Sequence, residues 1–232
     1  MRGTYKRAMR VIALLIALFA VADSATARTR AAGSWQPRRI LLVIAHPDDE
    51  LLFAPYLGPR CATGAATCTI LLLTRGEGGG DPDVRAREMA ASASLLRASV
   101  IRYAHPDIMA PWMERDTILR EINDAIAAFR PDTIFTFDPE HGTTGHPAHR
   151  ETGSLVLATG AHNVYLLETR AEFVGSGFVL RPARDDAWAP PADWSYAVTI
   201  ARIHASQFTP AQVESLRTLP SEQRRVWLIR AR

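Results

Sequence analysis

The chain reads as an α/β protein: a mostly parallel sheet with helices on both faces and a small β-rich part at the C-terminal end. Short apolar runs alternate with longer helical patterns, which is the rhythm of strands joined by helical crossovers. The runs are nearly continuous in Ile, Leu and Val, without polar alternation, as in strands covered on both faces. In order, the pattern predicts a strand over 39–45, a helix over 50–57, a strand over 67–74, a helix over 84–97, a strand over 100–103, a helix over 115–129 and a strand over 133–137. A helix over 149–158 and a strand over 164–168 add one more unit.

After Thr169 the rhythm changes. A Gly175-Ser176-Gly177 turn, a run over 178–181, the prolines 182, 190 and 191, a run over 194–200 and a closing apolar run over 226–229 read as a β-rich appendage. It is too short to bury a core of its own, so it is expected to wall the site rather than stand as a separate domain.

The N-terminal residues carry Arg2, Lys6, Arg7 and Arg10, then an apolar run from Val11 to Ala22, then Ala25-Thr26-Ala27. That order predicts a signal peptide over 1–27 and export to a periplasmic or extracellular space. The rival, a membrane anchor, is disfavoured because the run falls well short of the ~20 apolar residues that span a bilayer. The expected mature chain, 28–232, is then a single domain with no stable membrane span, its β-rich part beginning near 170. Cleavage removes four basic residues and one acidic residue (Asp23), so the formal charge of +3 falls to zero. With no concentrated cationic run, nucleic acid is not an expected partner.

Lys6 is the only lysine. The folded protein therefore has no amine for Schiff-base, P-loop or Ser-Lys chemistry, and the absence of G-x-S-x-G speaks against a serine hydrolase. Cys61 and Cys68, the only cysteines, make a candidate disulfide in an exported chain. Two free buried thiols and a metal pair are the rival readings.

The chemistry gathers at two strand mouths, where open α/β sheets bind ligands. His46-Pro47-Asp48-Asp49-Glu50 follows the first strand directly, and Gly145-His146-Pro147-Ala148-His149 comes after the run 133–137. Catalytic zinc takes three ligands from His, Asp, Glu and Cys and leaves a position for water. His46 and Asp49 lie three apart across a strand-to-helix turn, with Pro47 placed for the first position of the helix. Asp48 is left beside them as a general base for water. Of His146 and His149, one completes the metal triad and the other is free to hydrogen-bond the oxygen that gains charge in a tetrahedral intermediate. Read blandly, the two aspartates only favour a helix N-terminus and H-x-x-H is a surface pair; two such clusters at matching strand ends are harder to explain that way.

Ala45-His46-Pro47-Asp48-Asp49-Glu50 and Gly145-His146-Pro147-Ala148-His149 resemble the two signature motifs of the PIG-L/LmbE-like zinc-dependent deacetylases, which act on N-acetylglucosamine derivatives. Leu73-Thr74-Arg75-Gly76-Glu77-Gly78 with Arg85-Ala86-Arg87-Glu88, and His204-Ala205-Ser206-Gln207, resemble further segments of that family. The resemblance implies a Rossmann-like fold. It also implies zinc on His46, Asp49 and His149, Asp48 as base, and His146 as oxyanion stabiliser or acid to the leaving amine. Arg85, Glu88 and His204 would contact substrate, an amino sugar or its oligosaccharide. The chain departs at Ala148, where the family commonly has Asp to orient an imidazole; Glu140 or His141 is expected to take over that role.

The expected activity is hydrolysis of the N-acetyl amide of such a sugar. The alternatives are an amidase acting on a larger acyl-amino sugar or glycopeptide conjugate, and a saccharide-binding protein with little catalysis. The glycine run 76–80 lacks the pattern of a nucleotide loop and reads as a flexible substrate-side loop. His105, before Pro106-Asp107, echoes the first motif without its second carboxylate and reads as a loop histidine. Trp112, Trp188 and Trp194 are assigned to packing before sugar stacking.

Overall fold

The structure is a computed structural model that describes residues 35–107, 112–175 and 177–231. The expected leader, 1–27, and Ser176 of the expected turn lie outside the described residues. Pro37–Arg232 form one unit, built on strands β1 (Arg39–Ile44), β2 (Thr67–Thr74), β3 (Ser99–His105), β4 (Thr133–Phe137) and β5 (Val164–Leu167). These five are parallel. A hairpin of β6 (Thr169–Val174) and β7 (Gly177–Pro182) makes a separate antiparallel sheet, and β8 (Leu228–Arg230) returns to pair antiparallel with β5. The main sheet has the order β3-β2-β1-β4-β5-β8.

That order matters for function. The chain builds outward from β1 through β2 to β3, then crosses back to place β4 on the other side of β1. The crevice at the carboxyl ends of β1 and β4 is thus the switch point at which such sheets bind ligands, and both histidine motifs open from it.

Helices α1 (Ala54–Cys61), α2 (Pro82–Leu96), α3 (Arg115–Phe129) and α4 (Pro147–Ala158) are the crossovers; α5 (Ser195–Ile203) and α6 (Pro210–Thr218) belong to the C-terminal part. Leu41, Val43 and Ala45 of the first strand region pack with Leu71 and Leu73, under Ile118 and Ile122 of α3 and Leu155 and Val156 of α4. Ile40, Leu42 and Ile44 alternate to the opposite face and are equally buried. There Tyr56 of α1 meets Phe135 of β4, the neighbour of Leu42, with ring centroids 5.3 Å apart. Each such side chain contributes roughly 1.5–3 kcal/mol, which is why these strands show no polar alternation.

The bridge Cys61–Cys68 is formed, with Cα atoms 5.8 Å apart, and ties the end of α1 to β2. Among the described residues no helix is long and apolar enough to cross a membrane.

Inside the C-terminal part the pattern and the structure differ in two places. The run 194–200, read as part of a β-rich segment, lies in α5. Its β-branched residues suit a strand, but Ala197, Val198, Ile200 and Ala201 make a buried helical face, and packing overrides a weak β preference. The closing run 226–229 joins the main sheet as β8 and leaves the hairpin two-stranded.

Two consequences are open to test. Gly153 on α4 sits against the end of β4, where an added Cβ would lie 2.2 Å from the carbonyl oxygen of Phe137. Backbone on both sides cannot yield cheaply, so Gly153→Ala should lower stability by roughly 1–3 kcal/mol in urea unfolding. Because α4 carries His149, metal affinity should fall with it.

Glu168, directly after β5, is 1% exposed with one carboxylate oxygen unpartnered among the described residues. Burial, then the nearby Asp138 carboxylate, pushes its pKa up to about 7 from an ordinary 4.5. A raised carboxyl pKa favours the folded state while the group is neutral. That stability is full below pH 4.5 and declines as pH rises through 7. Glu168→Gln should remove the decline, so its melting temperature should exceed that of the parent at pH 8 and not at pH 4; parallel melting curves across that range would reject the assignment.

Candidate metal centre and active site

β1 ends on a sharp reversal. Asp48 takes φ 113°, ψ −22°, a left-handed conformation that costs a non-glycine residue about 1–3 kcal/mol. The helix expected from residue 50 begins instead as a 3₁₀ turn, Asp49–Leu52, with α1 starting at Ala54, so Pro47 precedes the turn rather than opening the helix. The twist has a purpose that spacing alone does not reveal. It lets the consecutive side chains of Asp48 and Asp49 both line one cavity.

Asp49 is buried, and its Oδ2 accepts from the backbone N–H groups of Ala45 (3.1 Å) and His46 (2.7 Å). Its Oδ1 lies 2.9 Å from Nε2 of His149. His46 Nδ1 is 3.2 Å from the same His149 nitrogen and 3.5 Å from Asp49 Oδ2. Three donor groups from two strand mouths thus stand 2.9–3.5 Å apart. Tetrahedral ligands held about 2.0–2.1 Å from zinc are about 3.3–3.4 Å from one another, so the spacing suits one small cation, with the Asp49 carboxylate meeting His149 through Oδ1 and His46 through Oδ2. The nitrogens of His46, His146 and His149 also gather within 4.8 Å of one another. Burial works against ionised Asp49, yet His149 and His46 overcome it and hold its pKa well below the usual carboxylate range.

The imidazoles are oriented from behind. His149 Nδ1 donates to the carbonyl of Gly142 at 3.0 Å and its ring stacks on Phe137 at 4.1 Å, which leaves Nε2 as the free lone pair. His46 Nε2 lies 3.0 Å from Oδ1 of Asp107, whose Oδ2 accepts from Gly78 N–H. Burial opposes a charge on His46, but the Asp49 and Asp107 carboxylates outweigh it and raise its pKa to about 10. Asp107 is a site residue that sequence reasoning missed. The His105-Pro106-Asp107 echo of the first motif was the available signal. His105 is no loop histidine but the last residue of β3, paired with Glu121 at 2.5 Å.

Asp48 has its pKa raised to about 7, chiefly by burial and then by Asp49, against the pull of the Arg85 guanidinium 3.1 Å away. His146 opens α4 as its N-cap, with Pro147 in the first turn as expected, and its Nδ1 accepts from Ala148 N–H at 3.2 Å. Burial, then the neighbouring His46 and His149, lowers His146 to about 4. Its proton therefore sits on Nε2. Neither Glu140 nor His141 takes the role expected of them, since Glu140 is exposed and His141 pairs with Arg170; the Ala148 N–H orients the His146 ring instead.

The residues expected to touch substrate divide. Arg85 lines the cavity, but its guanidinium is committed to the carbonyls of Gly76 (2.6 Å) and Pro47 (2.5 Å) and to Asp48. Gly76, at φ 70°, is needed for this approach, since a Cβ there would lie 2.6 Å from the guanidinium. His204 is fully buried and reaches Glu50 at 2.6 Å, while Glu88 accepts from the Ser206 backbone and hydroxyl. Neither lines the cavity, because both motifs point their polar groups into the support behind it. The cavity, about 350 Å³, is closed on another side by Leu51, Leu52, Ala171, Phe178 and Phe208. The tryptophans stay out of it: Trp112 is in the core and Trp194 donates to Leu216.

Comparison with known proteins places the chain in a family. The chain is 30% identical over 171 residues to a probable N-acetylglucosaminyl-phosphatidylinositol de-N-acetylase of Schizosaccharomyces pombe, covering 67% of each. It is 29% identical over 169 residues to a 1D-myo-inositol 2-acetamido-2-deoxy-alpha-D-glucopyranoside deacetylase of Kineococcus radiotolerans, covering 54% of this chain and 46% of that one. The chain thus spans about half the length of that second relative. Among solved structures, a conserved protein of Thermus thermophilus shares the fold, with TM-score 0.61 and 20% identity over 84% of this chain and 95% of that one. Residues 41–159 match the family described as PIG-L: GlcNAc-PI de-N-acetylase, a span that runs from β1 to the end of α4 and contains both histidine motifs. The chain belongs to the PIG-L family of de-N-acetylases.

Proposed function

We propose that this protein is a metal-dependent hydrolase that removes the N-acetyl group from an N-acetylglucosamine-type amino sugar or conjugate. One observation carries the reading: His46, Asp49 and His149 converge at ligand spacing beside a carboxylate, Asp48, that is not needed to complete the set. Two nitrogens and a carboxylate oxygen suit zinc, which supplies Lewis acidity toward a water molecule and an amide carbonyl; other divalent ions compete for such donors.

The protein's own groups do the rest. Asp48, with a pKa near neutrality, accepts the proton of the attacking water. His146 presents Nε2–H, so it donates a hydrogen bond to the carbonyl oxygen as that oxygen gains charge. Asp48 then returns its proton to the departing amine, and acetate is released. The Ala148 N–H holds the His146 tautomer without a carboxylate at 148, which favours catalysis over the binding-only alternative.

In the relatives' names the amide belongs to a glucosamine joined to an inositol, and we extend that substrate class to this chain as the first to test. The apolar wall of Leu51, Leu52, Phe178 and Phe208 favours a second reading, an amino sugar that carries a bulky apolar conjugate. The leader-like first residues and the Cys61–Cys68 bridge support export of a mature protein spanning 28–232, for which N-terminal sequencing of the secreted chain is the check.

The deciding experiment is metal analysis of purified protein coupled to an acetate-release screen over N-acetylated monosaccharides, oligosaccharides, inositol glycosides and their apolar glycosides. We expect one divalent ion per chain and acetate from at least one class. Metal-loaded protein that releases none from the whole panel rejects the activity.

A further inference from the structure

Behind Asp48 lies a chain of polar groups, buried at Glu50 and His204, that lines no part of the cavity. The backbone N–H of Asp48 donates to Oε2 of Glu50 at 3.0 Å, and the other oxygen of that carboxylate lies 2.6 Å from Nε2 of His204, which stands 154 residues further on, at the end of α5. Both side chains are fully buried. Beyond His204, its Nδ1 faces Glu88 of α2 at 3.8 Å, and Glu88 in turn accepts from the N–H and hydroxyl of Ser206.

A carboxylate removed from water in this way is costly unless both oxygens are partnered. Here the two partners are the histidine on one side and the strained residue on the other. Asp48 sits at φ 113°, a conformation that persists only where the surroundings over-determine it. Arg85 grips the turn from the cavity side through Pro47 O and the Asp48 carboxylate. Glu50, held by His204, grips it from the core side. The pair therefore fixes the peptide on which the direction of the Asp48 side chain depends.

We propose that Glu50 and His204 are positioning residues that hold Asp48 in its left-handed conformation, with its carboxylate turned into the site. The proposal rests on the reading of Asp48 as the base. His204 then acts through two other residues and never meets substrate.

The test compares His204→Leu, His204→Gln and Glu50→Gln with the parent, using full-length metal-loaded protein on the best substrate of the screen. His204→Leu should lower kcat about 10–100-fold, the range seen when a supporting partner is lost, while KM and bound metal stay within twofold. His204→Gln, which keeps an N–H donor toward Glu50, should recover part of the loss. A readout independent of turnover is amide hydrogen exchange at Asp48 in the metal-free protein, which should accelerate at least tenfold in His204→Leu. If that variant does not fold, Glu50→Gln decides. It keeps an acceptor for the Asp48 N–H and removes the charge that His204 meets, so it should show a smaller loss confined to kcat together with faster Asp48 exchange. Parental kcat and exchange in the folded variants overturn the proposal, as do parallel losses of kcat, metal and melting temperature. A parent that binds metal but hydrolyses nothing overturns the activity reading instead, and the exchange measurement still judges the positioning.

Discussion

Asp48→Ala is expected to lower kcat for acetate release about a thousandfold while leaving bound metal near the parental level, a loss within the 10²–10⁴ range of a positioned general base. The expectation follows from where the carboxylate sits. Asp49, not Asp48, faces the imidazoles of His46 and His149, so removal of Asp48 takes away a proton acceptor and spares the donor set. Removal also frees Arg85 from its 3.1 Å contact, but the guanidinium keeps two backbone carbonyls, so the turn should survive. Stopped-assay acetate measurement beside metal analysis on the same preparation separates the two effects. Parental turnover in this variant would remove Asp48 from the mechanism, and equal loss of metal and activity would make it a ligand.

Stripping the metal with a chelator should abolish activity below detection, with recovery on adding back zinc. His149→Ala should do the same without recovery. The reason is geometric, since His149 Nε2 is the atom that both other donor groups approach, at 2.9 and 3.2 Å. The variant also leaves the Asp49 carboxylate buried with one fewer partner, a loss that destabilises by about 3 kcal/mol when a buried charge goes uncompensated. A melting temperature lowered in the metal-free variant, and not raised by added zinc, is the accompanying signature. Full zinc recovery of His149→Ala would transfer the third ligand position to His146, in line with the three-histidine cluster.

Much of this was legible along the chain. Short continuous runs such as Ile40 to Ile44 read, by length and branched residues, as strands buried on both faces, and the structure makes them so. Pro147 after His146 marks the helix start that it proves to be. The motif residues His46, Asp48, Asp49, His146 and His149 all reach one cavity, because a motif at a strand end is carried to the sheet's mouth by the strand itself. His204 and Glu88 were legible as motif members but not as to destination. Whether a polar side chain at a helix end meets substrate or a buried carboxylate depends on which helix packs beside it, and α5 packs against the 3₁₀ turn that carries Glu50.

The place of Asp107 was marked in the sequence only by the His105-Pro106-Asp107 echo, and the apolar wall was not legible at all. Asp107 is 61 residues from His46, and only the order β3-β2-β1 brings the end of one strand round to the imidazole at the end of another. Phe178 and Phe208 come from the hairpin and from the segment before α6, where single aromatics carry no periodic mark of the surface they will face.

The sequence by itself determined which residue types stand at each strand mouth, since local periodicity and spacing are properties of short segments. Only the tertiary structure decided which mouths meet, which nitrogen of each imidazole is free, and that Asp48 bends left-handed beside its neighbour. Those outcomes are set by strand order and by hydrogen bonds between residues far apart in the chain, and no local pattern records them.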